Sequence, residues 1–214
     1  MPCRTFWQLD YAETAPDGEW NIVAPGPSLE RTIGEVQRRR PSIAVEGALR
    51  APLPFGFWSC WGRPRPSHAA AWSERGLGGP MYDADLVVLT GMSEGYNKAR
   101  RVAWHTWMAE QAGGDPLIAL SDPRDPTPAL WADARLDRGP SWLAAIRFAV
   151  LRGAARRVFL YGLDLDGEGY AFGWPSSMRR DPEDWAGRWV SERALLERAK
   201  QTCEAVGVEL VRAG

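Results

Sequence analysis

The sequence predicts an α/β protein with a mostly parallel sheet, and three observations carry that prediction. Short apolar runs alternate with segments of helical period along the chain. The connections between them are mostly short, as in layered α/β units. The run Asp85-Leu86-Val87-Val88-Leu89 is almost continuously apolar, the pattern of a strand covered on both faces of a parallel sheet.

Residues 1–19 are mixed and polar, an arm or edge strand. Asn21 to Ala24 reads as the first long strand and stops at Pro25-Gly26-Pro27-Ser28. Leu29, Ile33 and Val36 then repeat at helical spacing, with Ser28 as N-cap and Pro41 as the stop. Ser42 to Val45 is the next strand. A Trp/Pro-rich irregular middle segment, at about 51–80, holds one short strand near Phe55 to Cys60 and a helical turn at Ala69 to Arg75. Strands follow at Asp85 to Leu89 and Pro116 to Leu120, and Tyr96 to Gln111 is open between helix and irregular chain. A Pro/Asp-rich stretch at about 121–138 reads as loop. Ser141 to Arg152 is a helix stopped by Gly153, and Arg157 to Tyr161 a strand. Glu192 to Val206 is a helix closed by Gly207, and Val208 to Val211 the last strand. There is no internal repeat, and 214 residues are read as one domain spanning 1–214.

Composition narrows the function. With 26 Lys+Arg against 27 Asp+Glu the formal net charge is -1, which argues against a nucleic-acid wrapper. Lys98 and Lys200 are the only lysines, so the positive charge is almost all arginine. No apolar run approaches the roughly 20 residues of a membrane helix, and Met1 to Thr5 lacks the apolar block of a signal peptide. Cys3, Cys60 and Cys203 lie far apart, so neither a zinc site nor a disulfide framework is encoded. The expectation is a cytoplasmic protein that makes no membrane contact and is compatible with a homo-oligomer. Among 12 tryptophans, Trp58, Trp61 and Trp72 fall in the loop-rich segment, where they either stack on a base or sugar or pack under the loop.

In open α/β sheets ligands bind beyond the carboxyl ends of the strands. Three segments qualify. The Pro25-Gly26-Pro27-Ser28 turn offers backbone N–H groups to a phosphate, although it is neither GxGxxG nor a P-loop, and any tight strand-to-helix turn looks alike. Ser141 either caps its own helix or donates to a ligand. Gly162 opens the third segment, in which Asp164 and Asp166 either share a divalent cation on a diphosphate or cap turns. Of the two histidines, His105 sits between Trp104 and Trp107 and reads as packed, while His68 is a candidate base.

Two of these stretches resemble motifs of known families. Asn21 to Leu29 (NIVAPGPSL) resembles the opening of two related groups, the bacterial CMP-sialic-acid-dependent sialyltransferases and the archaeal 6-hydroxymethyl-dihydropterin pyrophosphokinase-like proteins. The second group also occurs in phages and flagellin-glycosylation clusters. Ser141 to Asp164, ending in RVFLYGLD, is similar to their helix followed by a strand ending in G-x-D, and Gly167 to Phe172 (GEGYAF) resembles the sialyltransferase continuation. The likeness implies a Rossmann-like fold with helices on both faces of the sheet. It places a nucleotide over Pro25, Gly26, Pro27 and Ser28 and near Ser141 and Gly162.

The sequence also departs from those groups. Pro25 and Glu46 stand where the sialyltransferases have asparagines, and Trp142 where their helix has glycine. No histidine precedes the last helix, and no carboxylate follows the third strand, where Trp58 to Gly62 stand. Sialic acid is therefore disfavoured as the donor. The expected function is transfer from a nucleotide-activated donor, a nucleotide sugar, to a glycan, a small molecule or a modified DNA base. Asp164 serves the chemistry or, with Asp166, holds Mg²⁺. Glu46, Glu168 or Glu192 replaces the missing base. The rival readings are a metal-dependent diphosphotransferase and a non-catalytic nucleotide-binding protein.

Overall fold

The computed structural model describes residues 3–5, 9–60, 87–90, 117–120, 129–131, 139–165, 171 and 182–213. Eight strands form one sheet: β1 (Cys3–Thr5), β2 (Glu19–Val23), β3 (Ser42–Val45), β4 (Phe57–Cys60), β5 (Val87–Thr90), β6 (Leu117–Leu120), β7 (Arg157–Tyr161) and β8 (Glu209–Arg212). Their spatial order is β1-β6-β5-β4-β3-β2-β7-β8, and every neighbouring pair runs parallel. The architecture is α/β and Rossmann-like. From β2 the chain works outward through β3, β4, β5 and β6, then crosses back to lay β7 on the other side of β2 and β8 beyond it. Because all strands are parallel, their carboxyl ends share one edge, and the order reverses between β2 and β7.

Three helices matter for that edge: α1 (Leu29–Thr32), α2 (Ser141–Leu151) and α3 (Pro182–Ala205). One face of the sheet buries Trp20, Ile22, Ile43, Phe57, Val158 and Leu160 with Leu143, Ile146 and Phe148 of α2 and with Ala199 and Cys203 of α3. Tyr11, Trp20, Phe57 and Phe148 meet there with ring centroids 5.1–6.3 Å apart. Full burial of such side chains is worth roughly 1.5–3 kcal/mol each. The opposite face packs Val23 and Tyr161 on Leu29, Val36, Ala48 and Ala51.

Several expectations change in the structure. The helix expected from Ser28 to Pro41 is one α-turn followed by a 3₁₀ turn at Ile33–Glu35, after which Val36 is extended. The apolar spacing did mark a buried face, since Leu29 and Val36 are core. Gly34, however, is a poor helix residue in the middle of the run, and the chain leaves the helix there. Ser28 itself has helical backbone and no side-chain cap bond. Likewise the N-cap position of α2 is Pro140, and Ser141 is its first helical residue. The last helix starts at Pro182, ten residues before Glu192.

Gly207 closes α3 as expected, at φ +77°. The Val208 and Gly207 N–H groups donate to the Cys203 and Glu204 carbonyls at 2.8 and 3.0 Å, a Schellman closure. Gly153 differs. The left-handed residue after α2 is Ala154, at φ +47°. Gly153 is needed because Trp20 lies over it: a Cβ there would fall 2.5 Å from Trp20 Cε2, and Trp20 Nε1 donates to the Gly153 carbonyl at 3.0 Å. No helix among the described residues is long and apolar enough to cross a membrane.

Candidate functional site

Parallel register assembles the site. Val23 pairs with Ala44 of β3 and with Tyr161 of β7, so the turns after β2, β3 and β7 leave the sheet side by side. The β2 and β7 turns are bound together. Ala24 N–H donates to the Tyr161 carbonyl and Gly26 N–H to the Gly162 carbonyl, both at 2.8 Å. Gly162 takes φ +65°, a conformation glycine adopts at little cost. It also approaches too closely for a side chain, since an added Cβ would lie against the Ala24 carbonyl oxygen and 2.9 Å from Leu29 Cβ. Gly26 has the same constraint in reverse: its Cβ would meet the Gly162 carbonyl oxygen and come 2.5 Å from Asp164 Oδ2.

Asp164 is half-buried and spans the two turns. Its Oδ2 accepts the Ser28 N–H at 2.8 Å, so the strand-end carboxylate does the capping that the Ser28 hydroxyl does not. Ser28 donates nothing from its side chain to the turn; its carbonyl accepts from Thr32 Oγ1 at 3.0 Å. The Pro25 carbonyl accepts the Ala171 N–H at 2.8 Å. Two guanidinium groups hold the far side of the loop: Arg212 Nη2 donates to the Asp164 carbonyl at 3.0 Å and Arg193 Nη1 to the Leu165 carbonyl at 3.3 Å. Leu165 itself sits at φ +55°.

The second half of the edge lies after β3. Glu46, at φ +47°, turns the chain as soon as the strand ends, and a Cβ added at Gly47 would lie 3.9 Å from Pro25 Cβ. The Glu46 carbonyl accepts the Trp58 indole N–H at 3.0 Å, and its Oε1 accepts the Ser141 hydroxyl in a short bond. The Ser141 carbonyl takes the Ser59 hydroxyl at 2.7 Å, which fixes the start of α2 over β3 and β4. Beside it, Trp142 Nε1 donates to Glu192 Oε2 at 2.8 Å, while Arg188 Nε bonds Glu192 Oε1 at 2.5 Å. Tyr161, at the end of β7, is buried, and that burial pushes its phenol pKa up.

Nine of the candidate residues thus gather at the carboxyl edge: Pro25, Gly26, Pro27, Ser28, Glu46, Ser141, Gly162, Asp164 and Glu192. His68 and Asp166 lie outside the described residues, as do Glu168, Trp61 and Trp72. Trp58 resolves toward packing: it is a β4 residue only 1% exposed. Glu192 has both carboxylate oxygens engaged and is 6% exposed, which makes it a tie between α3 and α2 and not a free base. Asp164 keeps Oδ1 without a hydrogen-bond donor among the described residues. As a cation ligand it would offer that single oxygen, and no group of three or more metal-binding side chains forms among the described residues. Arg193, Arg212 and Ser59 were not singled out by sequence, since a lone arginine or serine in an ordinary helix or strand carries no local mark; Trp142 was noted only as a departure from the glycine of the resembling helices.

Compared with known proteins, the chain matches no family model, no curated protein and no solved structure. The likeness to the sialyltransferase and pterin pyrophosphokinase-like groups rests on the two motifs alone.

Proposed function

We propose that this protein is a transferase that takes a nucleotide-activated donor, a nucleotide sugar, in the crevice where β2 and β7 diverge. The observation that carries the reading is the convergence of the Pro25–Ser28 turn, the Gly162–Asp164 loop, Glu46 and Ser141 at the point of strand-order reversal. Doubly wound sheets open their ligand crevice there. Arg193 and Arg212 bring positive charge to the same loop, which suits an anionic ligand. Asp164 acts through Oδ1. It takes the proton of the acceptor hydroxyl as that oxygen bonds the anomeric carbon, and the sugar–phosphate bond breaks to release the nucleotide. The Ser28 N–H holds the other carboxylate oxygen, which fixes the orientation of the base. Toward a divalent cation Asp164 would supply a single carboxylate oxygen, Oδ1.

A second reading has its own observation. The carboxyl groups of Glu46 and Glu192 are both already hydrogen-bonded within the protein, as expected of a nucleotide-binding protein that performs no transfer. Calorimetric titration with CMP, CDP, UDP, GDP and ATP, each with and without Mg²⁺, tests the binding common to both readings. Micromolar binding of one nucleotide supports the site and names the donor class; the absence of binding by all five refutes both. Turnover of the matching nucleotide sugar, lost in Asp164→Asn, then separates transfer from binding alone.

A further inference from the structure

In the sheet β7 lies between β2 and β8, so the loop that follows β7 has the β2 turn on one side and the end of β8 on the other. The β2 turn meets it through the Gly26 and Ser28 N–H groups. Arg212, the last residue of β8, meets it through the Asp164 carbonyl at 3.0 Å, and Arg193 of α3 through the Leu165 carbonyl at 3.3 Å. These carbonyls belong to consecutive residues, whose Cα atoms stand about 3.8 Å apart, so both guanidinium groups converge on one short piece of backbone. That backbone is firmly seated, because Leu165 buries its side chain in the core while its main chain turns at φ +55°.

The charge brought here is unbalanced. Arg40, Arg157 and Arg188 each pair with a glutamate. Arg193 and Arg212 are exposed and pair with no carboxylate among the described residues. Glu192 and Glu209, close to them in sequence, are taken by Arg188 and Arg157. A guanidinium carries five N–H donors, and the loop accepts one from each arginine. Two anchored guanidinium groups with spare donors suit an oxyanion, because the planar fork matches a phosphate or carboxylate. A polynucleotide calls for a longer tract of such charge, so the pair fits a small molecule. We infer that Arg193 and Arg212 form a subsite for the phosphate or carboxylate group of a small anionic acceptor, whose hydroxyl meets Asp164 on the loop that both arginines grip. The assignment of this anion to the acceptor rests on the transfer reading above; the subsite itself does not.

The test titrates inorganic phosphate, sulfate and acetate separately into the intact protein at constant ionic strength, reading affinity by calorimetry and the rise in Tm that a bound anion produces. Arg193→Gln and Arg212→Gln should each weaken binding by ~3-fold and the double variant by ~10-fold, the scale of exposed ion pairs. Arg38→Gln is the matched control, since Arg38 is exposed and donates only to the Pro52 carbonyl; it should leave binding within about 1.5-fold, as a distant surface charge. Arginines that merely fasten the loop would lower Tm in the double variant by the same amount with and without anion, and that result overturns the inference. So does a wild type that binds none of the three anions. Phosphate or sulfate binding identifies a phosphorylated acceptor, and binding of acetate alone a carboxylated one. The phosphate affinity should persist when the nucleotide identified by the titration above is saturating; its loss would put the anion in the nucleotide crevice and overturn the inference while the nucleotide reading stands. If no nucleotide binds but the arginine-dependent phosphate site does, the transfer reading fails and the subsite remains.

Discussion

The turn after β2 and the loop after β7 touch most closely at Gly26, and Gly26→Ala measures what their union is worth. A Cβ at this position would stand 2.5 Å from Asp164 Oδ2, 3.1 Å from Asp164 Cγ and closer still to the Gly162 carbonyl oxygen. The carboxylate could swing aside, but the carbonyl belongs to a backbone pinned by Gly162, so the two segments must separate. Separation loses the Gly26 N–H bond to Gly162, a neutral pair worth about 1 kcal/mol. It also strains or loses the Ser28 N–H bond to Asp164, whose charged acceptor makes it worth about 1.5–3 kcal/mol, toward the lower end at a half-buried site. The expected cost is about 2–4 kcal/mol. Urea unfolding followed by tryptophan fluorescence reads it as a lower midpoint at unchanged slope. Gly34→Ala is the matched control, because nothing lies within 4 Å of its added Cβ; it should be neutral within about 0.5 kcal/mol. In an Asp164→Ala background the carboxylate share of the clash is gone, so Gly26→Ala should cost about 1 kcal/mol less. A single-mutant cost below about 0.5 kcal/mol, or strict additivity with Asp164→Ala, would refute this account of the junction.

Trp142→Phe removes the indole N–H from Glu192 and leaves that buried carboxylate with Arg188; a loss of about 1–2 kcal/mol by chemical unfolding is expected, and an unchanged midpoint would dissolve the α2–α3 tie. Cys203 is buried, and burial pushes its thiol up to about 12 from a reference of 9.0. Its thiol should stay unlabelled by an aromatic disulfide reagent at pH 8 in the native protein and become labelled on unfolding, as peptide mapping would show. The sign follows from the raised value: this contribution to stability is whole below pH 9 and is lost as pH climbs toward 12, because only the unfolded state gives up the proton there. Ala154→Gly relieves an exposed residue at φ +47° and should raise stability by about 0.5 kcal/mol, the strain relieved slightly exceeding glycine's entropic cost; a lowered melting temperature would contradict this.

Features of the fold that depend on one short stretch of chain were readable in advance. Arg157 to Tyr161 is a strand with the limits its apolar run indicates, and Ser42 to Val45 is another. Gly207 ends α3 because a left-handed closure is a local event. Features set by another part of the chain were not readable. Gly153 looks like a helix stop, yet its small size answers to Trp20, 133 positions away. Ser28 looks like an N-cap, yet the capping oxygen comes from Asp164, 136 positions away. The Leu29, Ile33 and Val36 spacing correctly marked a buried face but overstated the helix, since Gly34 lets the chain tighten and leave.

The candidate site divides along the same line. Ser141, Ser28 and Asp164 were each picked out by a local pattern with an equally ordinary structural explanation, Glu46 only by comparison with the groups the sequence resembles, and nothing in those patterns says that the four belong together. Parallel register brings them together, because it stacks the ends of β2, β3, β4 and β7 on one edge whatever the loops between them contain. The resulting pairs, Ser28 with Asp164 and Ser141 with Glu46, give each carboxylate a hydrogen-bond donor that orients it. A carboxylate held by a donor on one side retains lone pairs for a substrate hydroxyl on another. The Ser28 bond that explains why the two turns pack therefore also orients Asp164, the acid group proposed to take the acceptor proton. Structural and functional readings of Asp164 are not rivals in this fold: Asp164→Asn, which can keep the Ser28 bond but removes the charge, is the variant that tells the two contributions apart.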